Sequence, residues 1–459
     1  MTYKDSGIGH QSRNSFARKL ITLKPLKLAL STALLVSGAS ALAVPFNSFD
    51  PRSMAMGGAG VAVGDAATAP FFNPALLSVA KDTDKFSVNF PIVGGRVYDP
   101  SDFSSSIDSF QKGNYVNNLT NSLAAFNSTP SNQNLTAVTS DISALNGKLI
   151  TLDNKPIQGE IGGAMVVGIP SKKFGGAFFA DGWGAAGGVI SYKDSQTLTD
   201  LSAAITCAST AANACNSNPY YNTGTHQVTF NANTNLQSSV NIRGVVMGET
   251  GVALAREFTF RDQTVSIGIT PKLVKTELFD YTANVNTANS SQSNAKGSDY
   301  TSKYNSFNFD LGLAKNYNNG WRAGLVVKNL IPHTYDFKNA TSPGASTFVT
   351  TGQMRLKPQA RIGASHENSW STVAMDLDLT RNDPAGLENK SQYLALGAEL
   401  NAWNWAQLRA GYRADLVTSA RSVASLGLGL APFGKLHADV TVAGNAHEIG
   451  ASMQLGFHW

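Results

Sequence analysis

The sequence predicts an all-β protein: a 14-stranded antiparallel transmembrane β-barrel with an N-terminal plug and a helical insertion after strand 1. Three observations predict this fold class. The chain begins with an export leader, its remainder contains many short runs that alternate apolar and polar residues, and it ends in such a run on an aromatic residue. Together they favour a barrel in the outer membrane of a Gram-negative cell.

The last strand gives the clearest alternation. Its apolar residues share one parity, and its small and polar residues share the other; the apolar set is Ile449, Ala451, Met453, Leu455, Phe457 and Trp459. An edge strand of a soluble sandwich also alternates, but it would bury this apolar parity in a shared core. A closing barrel strand instead needs a lipid-facing apolar side and an aromatic residue at the interface. We therefore predict that Phe457 and Trp459 form the C-terminal signal for the outer-membrane barrel assembly machinery.

The leader covers residues 1–43. A basic region precedes the short apolar run 28–36, and small residues then lead to Ala41-Leu42-Ala43. This order is typical of a secretory signal peptide, and we place its cleavage after about Ala43. A transmembrane anchor is the alternative, but the apolar run is too short for it.

The charge balance changes when the leader is removed. The whole chain has 36 Lys and Arg against 31 Asp and Glu, and the leader holds six of the former and one of the latter. The rest therefore carries 30 of each (36 minus 6 and 31 minus 1), and it is formally neutral. The basic character belongs to the leader, so no nucleic-acid partner is expected.

Residues 44–84 precede the first predicted strand. They are rich in Gly and Ala and are interrupted by Pro51, Pro70 and Pro74, which predicts compact irregular chain with short helical turns. A barrel of this size has a lumen too wide for its own side chains to fill. Such a barrel either conducts water or needs a plug. We assign 85–459 to the barrel itself and 44–84 to the segment that would plug it, called the hatch.

Turn chemistry and alternation predict fourteen strands: 85–98, 157–170, 174–194, 236–259, 264–281, 302–316, 320–337, 352–367, 370–382, 391–402, 405–415, 421–432, 435–444 and 447–459. The stretch 247–251 contains two glycines and allows a split of 236–259 into two strands. We keep a single bulged strand, because fifteen strands would break the alternation of short and long connections.

Residues 101–150 follow a helical period instead. Leu135, Val138, Ile142, Leu145 and Leu149 are spaced by three and four residues, and a weaker seam precedes them. We predict two helices inserted on the extracellular side. They form either a self-packed cap or a gate for a substrate.

The parity of each strand also predicts which charged side chains face the lumen: Asp310, Arg361, Asp376, Asp378, Glu399, Arg409, Arg413 and Asp439. Arg52 and Asp65 of the hatch segment are candidates to pair with them. Mixed-sign interior charges of this kind usually stabilise a barrel and hold its plug.

The chain has two cysteines, Cys207 and Cys215, in a Ser/Thr/Asn/Ala-rich loop. Their spacing is compatible with a disulfide in an oxidising compartment. Two free thiols are less expected after export, and further metal ligands are missing nearby.

The stretch Arg52-Ser-Met-Ala-Met-Gly-Gly-Ala-Gly60, followed by Asn73-Pro74-Ala75, resembles the start of the mature long-chain fatty-acid transporters, the FadL-like superfamily of outer-membrane proteins. Within it the chain is most similar to the conjugal-transfer TraF-like family, on account of its leader, its Val-Pro-Phe-x-x-Phe-Asp-Pro-Arg start and residues 243–258. The resemblance implies a hatch-plugged barrel of fourteen strands. It also assigns the hatch motif to Arg52, Met56, Gly57, Gly58, Ala59, Gly60, Asn73, Pro74 and Ala75.

Strand 174–194 carries a cluster of glycines: Gly182, Gly184, Gly187 and Gly188. In the fatty-acid transporters the third strand has an inward kink that opens toward the bilayer. The resemblance therefore makes these four glycines candidates for a lateral opening, and ordinary barrel curvature is the alternative.

No motif for nucleotide binding, metal-dependent hydrolysis or serine catalysis occurs, so we expect no enzyme, metal or cofactor. Two hypotheses remain. The protein is a hatch-plugged channel for small hydrophobic molecules, or it is a non-conducting outer-membrane component of a conjugal transfer or secretion assembly. An apolar groove along the inserted helices would favour the channel. A plugged lumen beneath a polar loop surface would favour the assembly role.

Overall fold

The computed structural model describes residues 49–79, 85–210, 215–261, 263–284, 300–317, 319–337, 352–382, 390–403 and 405–459. The predicted signal peptide and the two ends of the predicted hatch segment lie outside these residues. None of the described helices is both long and apolar enough to cross a membrane.

The hatch segment, residues 49–79, forms two short helices and a 3-10 helix. Helix α1 spans Pro51–Ala55, α2 spans Ala69–Phe72 and the 3-10 helix spans Pro74–Ser78. Asp50 caps α1 by accepting a hydrogen bond from the Ser53 amide at 2.8 Å, and the proline at the first helical position has no amide to satisfy. The segment is therefore compact, as its Gly, Ala and Pro content predicts.

Fourteen described strands form one closed antiparallel barrel: β1 Ser87–Tyr98, β2 Ile157–Ile169, β3 Gly175–Ser191, β4 Ser239–Phe260, β5 Gln263–Asn284, β6 Thr301–Asn316, β7 Trp321–Lys328, β8 Gln359–Glu367, β9 Ser371–Asp378, β10 Tyr393–Trp403, β11 Ala406–Asp415, β12 Val423–Leu430, β13 Leu436–Gly444 and β14 Glu448–His458. Each strand pairs with the next along the chain. Strand β14 closes the barrel on β1, from Ser87 opposite His458 to Tyr98 opposite Glu448. The predicted fold class and strand number are confirmed.

One bulge lies elsewhere than predicted. Strand β4 pairs along its length with β3 and, in constant register, with β5, so the predicted single strand is right but its bulge is wrong. The register shifts instead in β1, where Phe90 and Pro91 both stand opposite Leu455. Proline has no amide to donate to a ladder, which explains why the irregularity falls there.

Two predicted strands are longer than the barrel strands they contain. Strand β7 ends at Lys328, although 320–337 was expected, and β8 begins at Gln359 rather than at 352. The extra residues pair with each other, since His333–Asp336 and Gln353–Leu356 form a separate two-stranded hairpin. Their alternation marks a strand correctly, but it does not reveal which sheet the strand joins.

The two faces of the wall differ as the sequence predicts. On β14 the apolar parity points outward, with Ile449 42 % and Met453 46 % exposed, while Ser452 and Gln454 are buried toward the lumen. All eight charged residues expected to face inward do so, and seven of them are buried, with Arg413 partly buried. Outward apolar side chains in water would be costly, and lipid removes this cost.

Aromatic side chains collect at the end of the barrel that holds the short turns. They are 47–79 % exposed and form a collar, which consists of Phe174, Phe260, Tyr317, Trp321, Trp370, Trp403, Trp405, Phe433 and Trp459. Their rings are apolar with polar edges, so they prefer the interface between lipid and water. Because short turns face the periplasm in outer-membrane barrels, the collar marks the periplasmic rim.

A helical cap stands at the opposite end. It contains α3 Phe103–Gly113, α4 Tyr115–Ser128, α5 Asn132–Leu152 and α6 Ser195–Thr210, together with the short hairpin Tyr221–Asn222/Gln227–Val228. The insertion after β1 thus holds three helices rather than two. The missed helix, α3, is rich in serine and only 11 residues long, so its apolar seam of Phe103, Ile107 and Phe110 is short.

The cap has its own apolar core. The predicted seam of α5 lies in it, with Val138, Leu145 and Leu149 fully buried against α4 and α6. Cys207 and Cys215 form a disulfide at the end of α6, with their Cα atoms 6.1 Å apart. The cap therefore folds on itself.

Replacing Cys207 and Cys215 by serine is expected to loosen the cap and leave the barrel unchanged. A disulfide that closes so short a loop contributes about 2–3 kcal/mol, mainly by restricting the unfolded chain. Hydrogen exchange in α6 should become roughly 30- to 100-fold faster, since each 1.4 kcal/mol is a factor of ten. The unmutated protein treated with reductant is the control, and an equal acceleration in β10–β12 would contradict the prediction.

The plugged lumen

The hatch segment lies inside the barrel and contacts both sides of its wall. Helix α1 packs against β11–β14, and the 3-10 helix packs against β3–β6. The apolar side chains of the 3-10 helix and α2 are buried; Phe71 meets Phe179 of β3 edge to face at 5.8 Å. The plug therefore spans the lumen from one side to the other.

Arg52 ties α1 to the wall. Its guanidinium donates to both carboxylate oxygens of Glu399, at 2.9 and 3.0 Å, and to the carbonyl of Val63 at 3.2 Å. Arg409 donates to the same carboxylate at 2.7 Å and also binds Asp439. Bidentate pairs of this kind are among the strongest hydrogen bonds in proteins.

Asp65 completes this network from the hatch side, because its carboxylate lies 3.6 Å from the Arg52 guanidinium. Burial raises the pKa of Asp65, but Arg52, together with His458, His437 and the hydrogen bond from Thr68, holds that pKa below its usual value. Asp65 also accepts hydrogen bonds from the amides of Ala67 and Thr68. The Asp65 carboxylate therefore stabilises the conformation of the hatch as well as its attachment to the wall.

Gly60 and Val61 dock on a second carboxylate. Both amides donate to one oxygen of Asp376 on β9, at 2.8 and 2.9 Å. Gly57 and Gly58 have φ values of +70° and +96°, which side-chain-bearing residues rarely adopt. The glycines of the predicted motif thus allow the turn that presents two amides to the wall.

Asn73 joins three pieces of chain. Its amide nitrogen donates to the carbonyls of Val61 and Leu313, at 3.0 and 2.9 Å, and its oxygen accepts from the Ala75 amide. Pro74 begins the 3-10 helix directly after it. The Asn-Pro-Ala triplet therefore fixes the hatch to itself and to β6.

Further wall side chains donate to hatch carbonyls. These pairs are Ser425 to Ala55, Thr441 to Pro51, Ser452 to Phe49, Ser365 and Arg322 to Ala62, Arg361 to Gly58 and Lys328 to Phe71. They come from five strands. Since buried carbonyls need partners, this pattern fits a plug that stays seated.

Glycines on the inner wall let the hatch approach closely. A Cβ atom added at Gly411 would lie 2.1 Å from the Gly57 nitrogen, and one at Gly397 would lie 2.4 Å from the Met56 Cβ. Similar limits hold where other glycines face the hatch: Gly268, Gly312, Gly324, Gly427 and Gly450. We call this set the glycine belt, and its positions leave no room for side chains.

The β3 glycines proposed as a lateral opening lie in a continuous wall. Strand β3 pairs with β2 from Gly176, opposite Ile169, as far as Gly188, opposite Ile157. It pairs with β4 over the range Gly175–Ser191, and neither ladder has a register shift. Gly182, Gly184, Gly187 and Gly188 therefore sit between two intact ladders. An opening here would require separation of paired strands.

Two charged clusters in the lumen are not predictable from the sequence. Lys272 of β5 is fully buried and donates to Glu249 and Asp310, each at 3.0 Å. Nearer the cap, Glu160 and Glu448 meet three arginines, which are Arg96, Arg413 and Arg421. The parity of a residue within its strand predicts that its side chain faces inward. Predicting which residue it pairs with also requires the register between strands.

The hairpin between β7 and β8 also enters the lumen. It buries Tyr335, Phe337, Met354 and Leu356 against the inner face of β3–β5. Phe49 of the hatch belongs to the same apolar cluster. The lumen is thus filled by two segments, the hatch and this hairpin, of which the sequence revealed only the first.

Replacing Arg52 by alanine is expected to loosen the hatch. Breaking a buried ion pair by removing one partner costs about 3 kcal/mol or more, so the population with the hatch displaced should rise roughly 100-fold. Protease cleavage within residues 49–79 of the folded barrel measures this. Lys at position 52 keeps the charge and should give an intermediate rate, whereas wild-type rates for the alanine variant would show that Arg52 does not hold the hatch.

Among the described residues, no three His, Cys, Asp or Glu side chains are grouped as metal ligands would be. The model of a family described as "F plasmid transfer operon, TraF, protein" matches residues 70–378. No curated protein sequence matches the chain.

Several solved structures resemble the chain at low sequence identity. The toluene transporter TbuX of Ralstonia pickettii is 12 % identical, with 90 % of this chain and 99 % of that chain covered at a TM-score of 0.46. The monoaromatic hydrocarbon channel CymD is 11 % identical, with coverages of 89 % and 97 % and a TM-score of 0.47. The toluene transporter TodX of Pseudomonas putida is 12 % identical, with coverages of 91 % and 98 % and a TM-score of 0.42.

Proposed function

The chain belongs to the family described as the TraF protein of the F plasmid transfer operon, and from that premise we propose that it is a plugged, non-conducting outer-membrane component of a conjugal transfer or secretion assembly. Export by the predicted signal peptide and insertion directed by Phe457 and Trp459 are part of this proposal. The observation that carries it is the seated hatch.

The attachment of the hatch supports a static plug. Arg52, Gly60, Val61 and Asn73 are bound by side chains or carbonyls of the wall, and the glycine belt matches the hatch backbone. Withdrawing the hatch would leave Glu399 and Asp376 in the lumen without these partners. Buried charged groups that lose partners are costly, which disfavours frequent opening.

The surface of the cap supports a protein partner. The outer positions of α5 are mainly small and polar and include Gln133, Thr136, Thr139, Ser140 and Ser143. In the described part of the cap, Ile150 is the one large apolar side chain that is mostly exposed. A polar surface of this kind suits a reversible contact with another protein better than it suits capture of an apolar substrate.

A channel for small hydrophobic molecules is the second candidate. It is favoured by the apolar cluster in the lumen, where Trp183, Met247 and Val274 are buried. Such a molecule would have to displace both the hairpin and the hatch on its way through. Gly182, Gly184, Gly187 and Gly188 remain the proposed lateral exit for this candidate.

Conductance and mating frequency test the two roles together. In planar bilayers the wild-type barrel should pass almost no current, whereas a variant lacking residues 49–79 should conduct. Donor cells that lack the protein should mate poorly and recover with the wild-type gene. Recovery with cap variants bearing Thr136→Arg and Thr139→Arg should fail if the cap binds a partner, and Lys148→Gln, also on α5, is the matched control.

Uptake of a fluorescent fatty acid into proteoliposomes addresses the second candidate. Saturable uptake that is lost when Gly187 and Gly188 are both valine would replace the assembly role by transport. Absence of uptake, together with normal mating by that variant, would leave the assembly role standing.

A further inference from the structure

The periplasmic rim of the barrel is unevenly charged. The turns that join β2 to β3 and β4 to β5, with the strand ends beside them, carry five cations: Lys172, Lys173, Arg256, Arg261 and Lys315. We call these residues the basic arc. The same stretches carry two carboxylates, Glu257 and Asp262, of which Asp262 lies outside the described residues. Five positive charges minus two negative charges leave a net charge of +3 on this side of the rim.

The opposite side of the rim is aromatic but carries no such charge. The turn between β8 and β9 is Asn368-Ser369-Trp370, and the turn between β10 and β11 is Trp403-Asn404-Trp405. Neither turn contains Lys or Arg. Neutral aromatic rings are sufficient to hold a barrel at the interface between lipid and water. The cations of the basic arc are therefore not needed for that purpose, and they require an explanation of their own.

Two cations of the arc face the bilayer instead of the lumen. Arg256 shares the outward parity of Phe258 on β4 and lies two residues nearer the centre of the bilayer. It stands opposite Ile267 of β5, an outward apolar residue that is 43 % exposed. Lys315 shares the outward parity of Tyr317, which is 47 % exposed. A cation in this position is costly unless its long side chain meets an anion among the lipid headgroups.

Three of the cations lie over aromatic rings at the rim. The distances to the ring centroid are 5.6 Å for Arg256 and Phe258, 5.3 Å for Arg261 and Phe260, and 5.1 Å for Lys315 and Tyr317. The face of a ring attracts a cation but does not neutralise it. These contacts therefore hold the three charges at the level of the headgroups and leave N–H groups free to donate to phosphate oxygens.

We infer that the basic arc binds the phosphate groups of an anionic phospholipid in the periplasmic leaflet. Guanidinium and ammonium groups donate strong hydrogen bonds to phosphate oxygens. The acyl chains of the same lipid would lie against the outward apolar residues of β5 and β6, such as Ile267 and Leu313, which stand opposite each other. Strands β4 and β6 are about 10 Å apart across β5, so a headgroup with two phosphates can contact both Arg256 and Lys315.

An acidic protein is the other class of partner that a basic surface attracts. Such a protein could contact the cations of the turns, which are Lys172, Lys173 and Arg261. Arg256, however, lies on the bilayer side of Phe258, where lipid surrounds the wall. A lipid headgroup reaches both positions, which favours the phospholipid. The inference goes beyond the proposed function, since it requires neither a partner protein nor an open lumen.

Titration with defined lipids tests the site. The folded barrel in a neutral detergent is titrated with cardiolipin, which has two phosphates, or with zwitterionic phosphatidylcholine, and bound lipid is counted by native mass spectrometry. The wild type should bind cardiolipin more tightly than phosphatidylcholine. Each cation near an anionic lipid contributes about a factor of five, so the triple variant Arg256→Gln, Arg261→Gln, Lys315→Gln should bind cardiolipin roughly 100-fold more weakly. Its affinity for phosphatidylcholine should not change.

A matched triple variant controls for total charge. Lys112→Gln, Lys275→Gln and Lys303→Gln remove three exposed cations that lie toward the cap, and this variant should keep the wild-type affinity for cardiolipin. Arg256→Lys retains the charge and should also keep most of the affinity. Added salt should weaken binding of cardiolipin to the wild type and have little effect on the first triple variant. All substituted side chains lie on the surface, and the heat-modifiable form shows that each barrel is folded.

Three results would overturn the inference. One is equal affinity of the wild type and the first triple variant for cardiolipin, and another is wild-type binding of cardiolipin no tighter than that of phosphatidylcholine. The third is a polyglutamate peptide that binds as tightly as cardiolipin and competes with it, because this assigns the basic arc to an acidic protein. None of these results depends on mating frequency or conductance, so the proposed function is judged separately.

Discussion

Replacing Gly411 by alanine is expected to unseat the hatch. The new Cβ would lie 2.1 Å from the Gly57 nitrogen, 2.4 Å from the Met56 carbonyl carbon and 2.7 Å from the Ala55 oxygen. All three are backbone atoms of the hatch, so no side chain can rotate away. Overpacking typically costs 1–3 kcal/mol, and contact with three backbone atoms of the hatch places this case at about 3 kcal/mol.

Protease accessibility of the hatch measures this effect. A cost of about 3 kcal/mol raises the displaced population roughly 100-fold, so cleavage within 49–79 should accelerate by a similar factor. Gly176→Ala on β3 is the control, because its Cβ would meet nothing nearer than 3.8 Å. Equal cleavage rates in the two variants would mean that the glycine belt does not position the hatch.

Replacing Lys272 by methionine should have the largest effect on the barrel itself. The methionine fills a similar volume, but Glu249 and Asp310 then remain buried without their shared cation. Removing one member of a buried ion pair costs about 3–5 kcal/mol. We expect the folded, heat-modifiable form of the barrel to be reduced to a small fraction of the wild-type yield, with a lower urea midpoint.

A compensated variant separates charge from packing. Glu249→Gln and Asp310→Asn, added to Lys272→Met, remove the two uncompensated charges and should restore most of the folded yield. Lys275→Met on the same strand is the control, since Lys275 is exposed on the opposite face. If the triple variant folds no better than Lys272→Met, the lost stability comes from packing and not from charge.

The barrel was predictable because each strand is a local pattern. Alternation, turn residues and the closing aromatic depend on near neighbours in sequence, so fourteen strands followed from residues 85–459. The hatch motif followed from a resemblance. By contrast, the pairing of Arg52 with Glu399 joins residues 347 positions apart, and nothing in their local sequence selects that partner.

The hairpin between β7 and β8 shows most clearly what a local sequence pattern does not predict. Residues 333–336 and 353–356 alternate as barrel strands do, so alternation alone assigns them to the strands beside them. Which sheet a strand joins depends on what covers its apolar face, and here the cover is the inner wall of β3–β5. The large apolar residues of that wall, such as Trp183, were the available signal that another segment lies against them.

The tryptophans of the chain lie in two different environments, the aromatic collar and the lumen. Trp321, Trp370, Trp403, Trp405 and Trp459 lie at one rim and are 48–62 % exposed, while Trp183 is enclosed beneath the hairpin. The chain contains six tryptophans, so these are all of them. A fluorescence quencher attached to lipid headgroups at that rim should therefore quench the emission of these five tryptophans and leave the emission of Trp183 unchanged. The remaining fluorescence comes from Trp183 inside the lumen, and its emission wavelength reports whether water has reached that residue.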